Sequence, residues 1–221
     1  MGKASRNKRR EKSSDIAVST VSAPTEGRSW FLPVVIAILL VGGAGIGAVA
    51  LQRESSVGIV PEFASGDGLR PIIGDHFHTA YGIYACDSFA SPIENESGVG
   101  GIHTHGAGYI HVHPSSTSST GQNANFGRFM ANAGARLTGD SIRVDEIGVD
   151  LESGADCNGE PGVLQLAVWE DQFSLEDPEV LTGEAIAEYH LDRDGSALTL
   201  AFLPEGAEIP KPPSALFTYG G

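Results

Sequence analysis

The chain is short of cations. Its 221 residues carry 14 Lys and Arg against 28 Asp and Glu, a formal charge of −14. Half of those cations (Lys3, Arg6, Lys8, Arg9, Arg10, Lys12 and Arg28) stand in the first 52 residues, beside Glu11, Asp15 and Glu26. Beyond residue 52 the chain holds seven Lys/Arg against 25 Asp/Glu, a net −18. Phosphate binding needs clustered cations, so nucleic acid is excluded as a partner of this acidic part and cations are its natural counterpart. Cysteine is equally scarce, with Cys86 and Cys157 alone and no Cys-x-x-Cys spacing. Missing too are an HExxH helix, a nucleophile elbow, a phosphate loop and any internal repeat. No reaction class is announced by motif.

Charge is absent altogether from residues 31–51. Such a run matches the roughly 20 apolar residues that cross a bilayer as a helix. Trp30 and Phe31 suit one interface, Arg53 closes the other end, and the basic residues on the N-terminal side predict a cytoplasmic tail. The sequence therefore divides into a disordered basic tail (1–29), a transmembrane helix (30–52), a tether (53–70) and an extracytoplasmic domain (71–221). A cleaved signal peptide is the rival, since Ala48-Val49-Ala50 resembles a small-residue cleavage site. Under either reading the domain ends outside. In that oxidising setting Cys86 and Cys157 are expected to pair, in preference to serving as two zinc thiolates. The bond would close a loop of about 70 residues, stabilising by ~4 kcal/mol on the loop-entropy model.

From Pro71 onward, short apolar runs punctuated by Gly, Asp and Pro predict an α+β domain rich in strands, with one or two short helices. A helix is expected over 120–134, where Phe126, Phe129, Met130 and Ala133 fall at core-facing spacing. Asn123 would cap its start and Gly134 its end. Strands are expected over 141–144, 163–169, 187–191 and 197–202. The last two flank Asp192-Arg193-Asp194-Gly195, which reads as a hairpin turn. Residues 204–213 are proline-rich and should run extended along the surface.

Six of the seven histidines fall between residues 76 and 113, as three His-x-His pairs: His76/His78, His103/His105 and His111/His113. Residues i and i+2 of a strand share a face about 7 Å apart, so each pair can converge on one ion. Gly106-Ala107-Gly108-Tyr109 should turn a hairpin between the second and third pairs. If His105 lies opposite His111 and His103 opposite His113, all four point one way, and Ile102, Thr104, Ile110 and Val112 share the other face. A slip of one residue would send the pairs to opposite faces. These six histidines are the candidate ligands for a divalent transition metal, zinc or copper. Asp75 and Asp87 are candidates for an oxygen ligand or for orienting an imidazole. A hydrogen-bonded structural network or a pH-responsive patch is the competing account of the cluster. His190, isolated in Glu-Tyr-His-Leu, reads as a structural residue, and Tyr81 and Tyr84 as packing residues. The HxH spacing invites comparison with cupins, but no Glu follows His105 or His113 at the spacing a cupin site needs.

Asp75-His76-Phe77-His78-Thr79-Ala80-Tyr81-Gly82-Ile83-Tyr84-Ala85-Cys86-Asp87, with residues 101–114, resembles the signature of a family of single-pass membrane proteins from actinobacteria. The likeness runs on through 126–134 and Phe202-Leu203-Pro204-Glu205-Gly206. It implies a shared topology and a shared site, and supplies no reaction. Members of that family often carry Asp in the hairpin turn where this chain has Ala107, which removes one carboxylate from the possible ligands. Three functions are open: a non-catalytic metal-binding module, an enzyme whose metal activates water or oxygen, and an envelope scaffold with structural histidines. The membrane, through one helix, and another envelope protein are the expected partners.

Overall fold

In Ser196–Leu203 all eight residues are buried, which for a strand means that both faces are covered. This strand lies near the middle of the main sheet in a computed structural model of the chain. The structure describes residues 68–94 and 98–219, together with Gly58. The basic tail, the uncharged run over 31–51 expected to span a membrane and most of the expected tether lie outside the described residues. Among those described, no helix is long and apolar enough to cross a membrane.

Among the described residues twelve strands succeed one another: β1 (Phe77–Ala85), β2 (Ser88–Phe89), β3 (Ile102–Thr104), β4 (Tyr109–Val112), β5 (Arg136–Leu137), β6 (Ser141–Val144), β7 (Val149–Glu152), β8 (Asp156–Cys157), β9 (Glu160–Pro161), β10 (Val163–Trp169), β11 (Glu179–Thr182) and β12 (Ser196–Leu203). Helix α1 (Phe126–Asn132) falls between β4 and β5, and α2 (Ala185–Glu188) between β11 and β12. The domain is the expected strand-rich α+β. The main sheet runs β11-β10-β12-β1-β4-β3, with β2 paired to the end of β1. Among the described strands only β1 and β12 pair in parallel, with Ala80 beside Ala197 and Ile83 beside Leu200. Smaller sheets are formed by β5-β6-β7 and β8-β9.

Alternation along the strands sorts the two faces of the main sheet. One face presents Tyr81, Ile83, Ile102, Ile110, Val112, Leu166, Val168, Leu198 and Leu200 to α1. The other carries small residues, among them Ala80, Ala167, Ala197 and Ala201, against Ile209 and Ala215 of the C-terminal segment. That segment is extended as expected, and it is tied down by side chains. Thr199 Oγ1 donates to the Pro210 carbonyl at 2.8 Å, and Ser214 Oγ donates to the Gly108 carbonyl at 2.7 Å. Cys86, just after β1, and Cys157 in β8 form the expected disulfide, with Cα atoms 5.4 Å apart.

The helix is shorter than predicted. Its cap is Asn125, not Asn123: the Asn125 side chain accepts the Arg128 N–H at 2.8 Å, and residues 117–123 form two 3₁₀ turns instead. Gly134 does end it, at φ 78°, with Gly134 N–H bonded to Ala131 O and Ala135 N–H to Met130 O. Phe126, Phe129, Met130 and Ala133 are all core residues. Burying each Phe contributes about 2–3 kcal/mol, against about 1 kcal/mol for the cap, so packing holds these seven residues helical.

The strand expected over 187–191 does not form. Ala185–Glu188 is helical, with Ile186 and Ala187 buried, because Ala and Glu favour helix and the core here is reached by one turn. The chain then crosses the start of α1, where Phe126 N–H donates to Tyr189 O and Leu191 N–H to Ala124 O. Asp192-Arg193-Asp194-Gly195 is consequently no hairpin turn. It carries the chain to β12, whose neighbours are β10 and β1.

Candidate metal centre

The β3–β4 hairpin keeps the predicted parity in a different register. His103 lies opposite His111, Ile102 opposite Val112 and Thr104 opposite Ile110. The expected register sets His105 opposite His111, and His103 opposite His113. The slip is two residues, an even number, so the side chains keep their faces. Ile102, Thr104, Ile110 and Val112 are wholly buried on the α1 side. The turn consists of His105-Gly106-Ala107-Gly108, and Tyr109 joins β4. Two ties hold it there: Tyr81 N–H donates to Gly108 O at 2.8 Å, and the single proton of the Tyr109 hydroxyl is shared between Ser214 O and Phe217 O, 2.6 and 2.5 Å away.

Strand β1 supplies the third histidine pair. It pairs antiparallel with β4, setting His78 beside His111. His103, His111 and His78 therefore form one row across three adjacent strands, and His113 and His76 lie one step along. All six rings come into contact. Centroid distances are 4.7 Å for His76–His78, 5.3 Å for His76–His113, 4.9 Å for His78–His111, 4.7 Å for His103–His113 and 4.5 Å for His105–His111.

Within this cluster His76, His78 and His111 bring one ring nitrogen each to within 4.8 Å of one another. Tetrahedral ligands on Zn–N bonds of about 2.05 Å stand about 3.3 Å apart, a gap that small ring rotations close. His78 Nε2 and His111 Nε2 are buried and have no hydrogen-bond partner among the described residues. Leaving such an atom unsatisfied costs about 1–3 kcal/mol, so two in one place point to a ligand that accepts both lone pairs. Three histidines that can hold a cation is what the geometry provides.

The protonation states suit a cation. Burial lowers the His78 pKa, reinforced by His76 and opposed by Asp194. His111 is lowered to about 3 by burial first, then by repulsion from His105, His78, His103 and His76. Both rings are neutral at pH 7, the state in which imidazole binds metal.

Asp194 and Tyr219 complete the surroundings. Asp194 Oδ1 accepts the His78 N–H at 2.6 Å and lies 3.4 Å from His78 Nδ1. A carboxylate there holds the proton on Nδ1 and turns Nε2 outward as a ligand. The Tyr219 ring stacks on His78 at 4.4 Å and meets His111 edge-on at 4.7 Å. Neither residue carries a sequence signal; Asp194 stands in a turn motif 116 residues from His78.

The acids expected to serve the site are engaged elsewhere. Asp75 pairs with Arg70 at 2.6 Å and accepts the Ile72 N–H, while Asp87 accepts from Ser88 beyond the other end of β1. His190 Nε2 stands 2.7 Å from the Gly121 carbonyl, a structural contact, and Tyr81 and Tyr84 pack against Phe129 and Phe89. No family model, curated protein or solved structure matches this chain.

Proposed function

We propose that the chain is a membrane-anchored, extracytoplasmic module that binds a divalent transition metal, zinc or copper, and performs no reaction of its own. One observation carries this reading: two buried Nε2 atoms, on His78 and His111, with no hydrogen-bond partner among the described residues, beside a third imidazole from His76. Neutral imidazole suits zinc and copper better than the hard cations magnesium and calcium, which take oxygen ligands. The acidic surface favours cations of any kind. The uncharged run over 31–51 and the basic residues before it support the anchor and its orientation. The same proposal places the chain among the actinobacterial proteins whose paired His-x-His motifs it resembles.

The test is elemental analysis of the full chain, purified in detergent through a tag without histidine, stripped with chelator and dialysed against zinc or copper salts. Metal retained after dialysis in metal-free buffer is the expected result. A chain that retains neither metal refutes the proposal. A membrane-impermeant thiol reagent applied to intact cells carrying Val60→Cys should label that position. Labelling only after lysis would reverse the orientation.

A further inference from the structure

Six imidazoles exceed what one ion can use, since a zinc ion held by nitrogen ligands is most often four-coordinate. The cluster divides at His111. On one side stands the trio of His76, His78 and His111. On the other, His103 Nε2 and His105 Nε2 are 2.9 Å apart, and the His113 ring lies 4.7 Å from that of His103. A separation of 2.9 Å is an N–H···N hydrogen bond when one ring donates. It is also the spacing of two nitrogens at right angles on ~2.05 Å metal bonds, and close to the tetrahedral spacing of about 3.3 Å. Ligand atoms are thus already at coordinating distance on this side, once the donor ring carries its proton on Nδ1.

Each side also has a way in and an acid nearby. His105 and His76 are exposed at opposite margins of the cluster, while His111 between them is 4% exposed. Asp194 stands at the His78 end. At the other, Glu94 packs on Gly106, the neighbour of His105, with its Cγ 3.2 Å from where a Gly106 Cβ would stand. A carboxylate at either end lowers the cost of placing two dications in one cluster of neutral ligands.

We infer that the cluster holds two metal ions side by side: one on His76, His78 and His111, the second on His103 and His105. This rests on the metal-binding reading and adds a stoichiometry to it. The second ion enters a site already beside a dication, so it binds more weakly and the two equivalents are resolved in a titration.

The experiment is zinc titration of the stripped full chain in detergent by calorimetry, with bound zinc counted by elemental analysis. Two equivalents per chain are expected in the wild type. The double variant His103→Ala/His105→Ala should lose the weaker equivalent and keep the tighter one. His76→Ala/His78→Ala should lose the tighter one. Both pairs are at least partly exposed, and unchanged circular dichroism serves as the folding control. One equivalent in the wild type, or two in the His103/His105 variant, overturns the two-ion inference and leaves metal binding standing. No zinc and no copper bound at all would remove both.

Discussion

Asp194 Oδ1 takes the backbone N–H of His78 at 2.6 Å while standing 3.4 Å from the Nδ1 of the same residue. One carboxylate oxygen thereby fixes both the main chain and the ring of a histidine at the start of β1. Gly195 N–H donates back to His78 O at 2.8 Å, so the two segments clasp each other.

This clasp predicts the effect of Asp194→Asn. The amide keeps an acceptor for the His78 N–H and loses the charge that favours Nδ1–H. Metal affinity should drop 10- to 100-fold with fold and stoichiometry retained. Asp194 is 62% exposed, so little stability should go with it. Competition against a chromogenic chelator measures the shift, and unchanged affinity would deny Asp194 its orienting role.

A second prediction concerns pH. The folded chain holds His111 and His78 below the ordinary histidine pKa, whereas the unfolded chain protonates both near 6.5. Below pH 6.5 the unfolded state therefore binds more protons. Stability of the metal-free chain should fall as pH drops from about 6.5 toward 3, most of it through His111. Urea midpoints at pH 7.5 and 5 would show the fall, and His111→Gln should shallow the slope. A midpoint that stays flat or rises on acidification would contradict the buried neutral imidazole.

The disulfide offers a third. Cys86 and Cys157 are 71 residues apart, and releasing a loop of that length should cost about 4 kcal/mol on the chain-entropy model. Cys86→Ser/Cys157→Ser should lower the denaturation midpoint accordingly. The unreduced, denatured wild type should show no free thiol, and two thiols per chain would refute the pairing.

Tyr109→Phe is the fourth. It removes the hydroxyl whose single proton lies between Ser214 O and Phe217 O, the ties closest to Tyr219. About 1 kcal/mol should be lost. Amides of residues 215–219 should exchange faster by mass spectrometry, with the hairpin unaffected. If exchange there is unchanged, other contacts hold the segment.

Sequence pattern reaches some of this and stops at definite places. Ser141–Val144 and Val163–Trp169 are legible residue for residue, because both are apolar runs with clear punctuation. The shared face of His103, His105, His111 and His113 comes from parity, which the apolar partners enforce. The register does not, since two glycines at positive φ, Gly106 and Gly108, let the turn start one residue early. Residues 187–191 mislead because four helical residues are too few to show a period. The placement of His78 beside His111 depends on β1 joining β4, and that of Asp194 on β1 joining β12. Pairings between strands so far apart in sequence leave no local trace.

The Cys86–Cys157 bond reaches across the histidine cluster in chain order. His76 and His78 precede it, and the other four lie inside the loop it closes. A protease that cuts the connection between β2 and β3 would separate these two groups of ligands along the backbone. The sulfur bridge would still join the two pieces, since one cysteine belongs to each. Under non-reducing electrophoresis such a nicked chain runs as one species, and on reduction as two. The molecule can be cut between the halves of its cluster and lose neither.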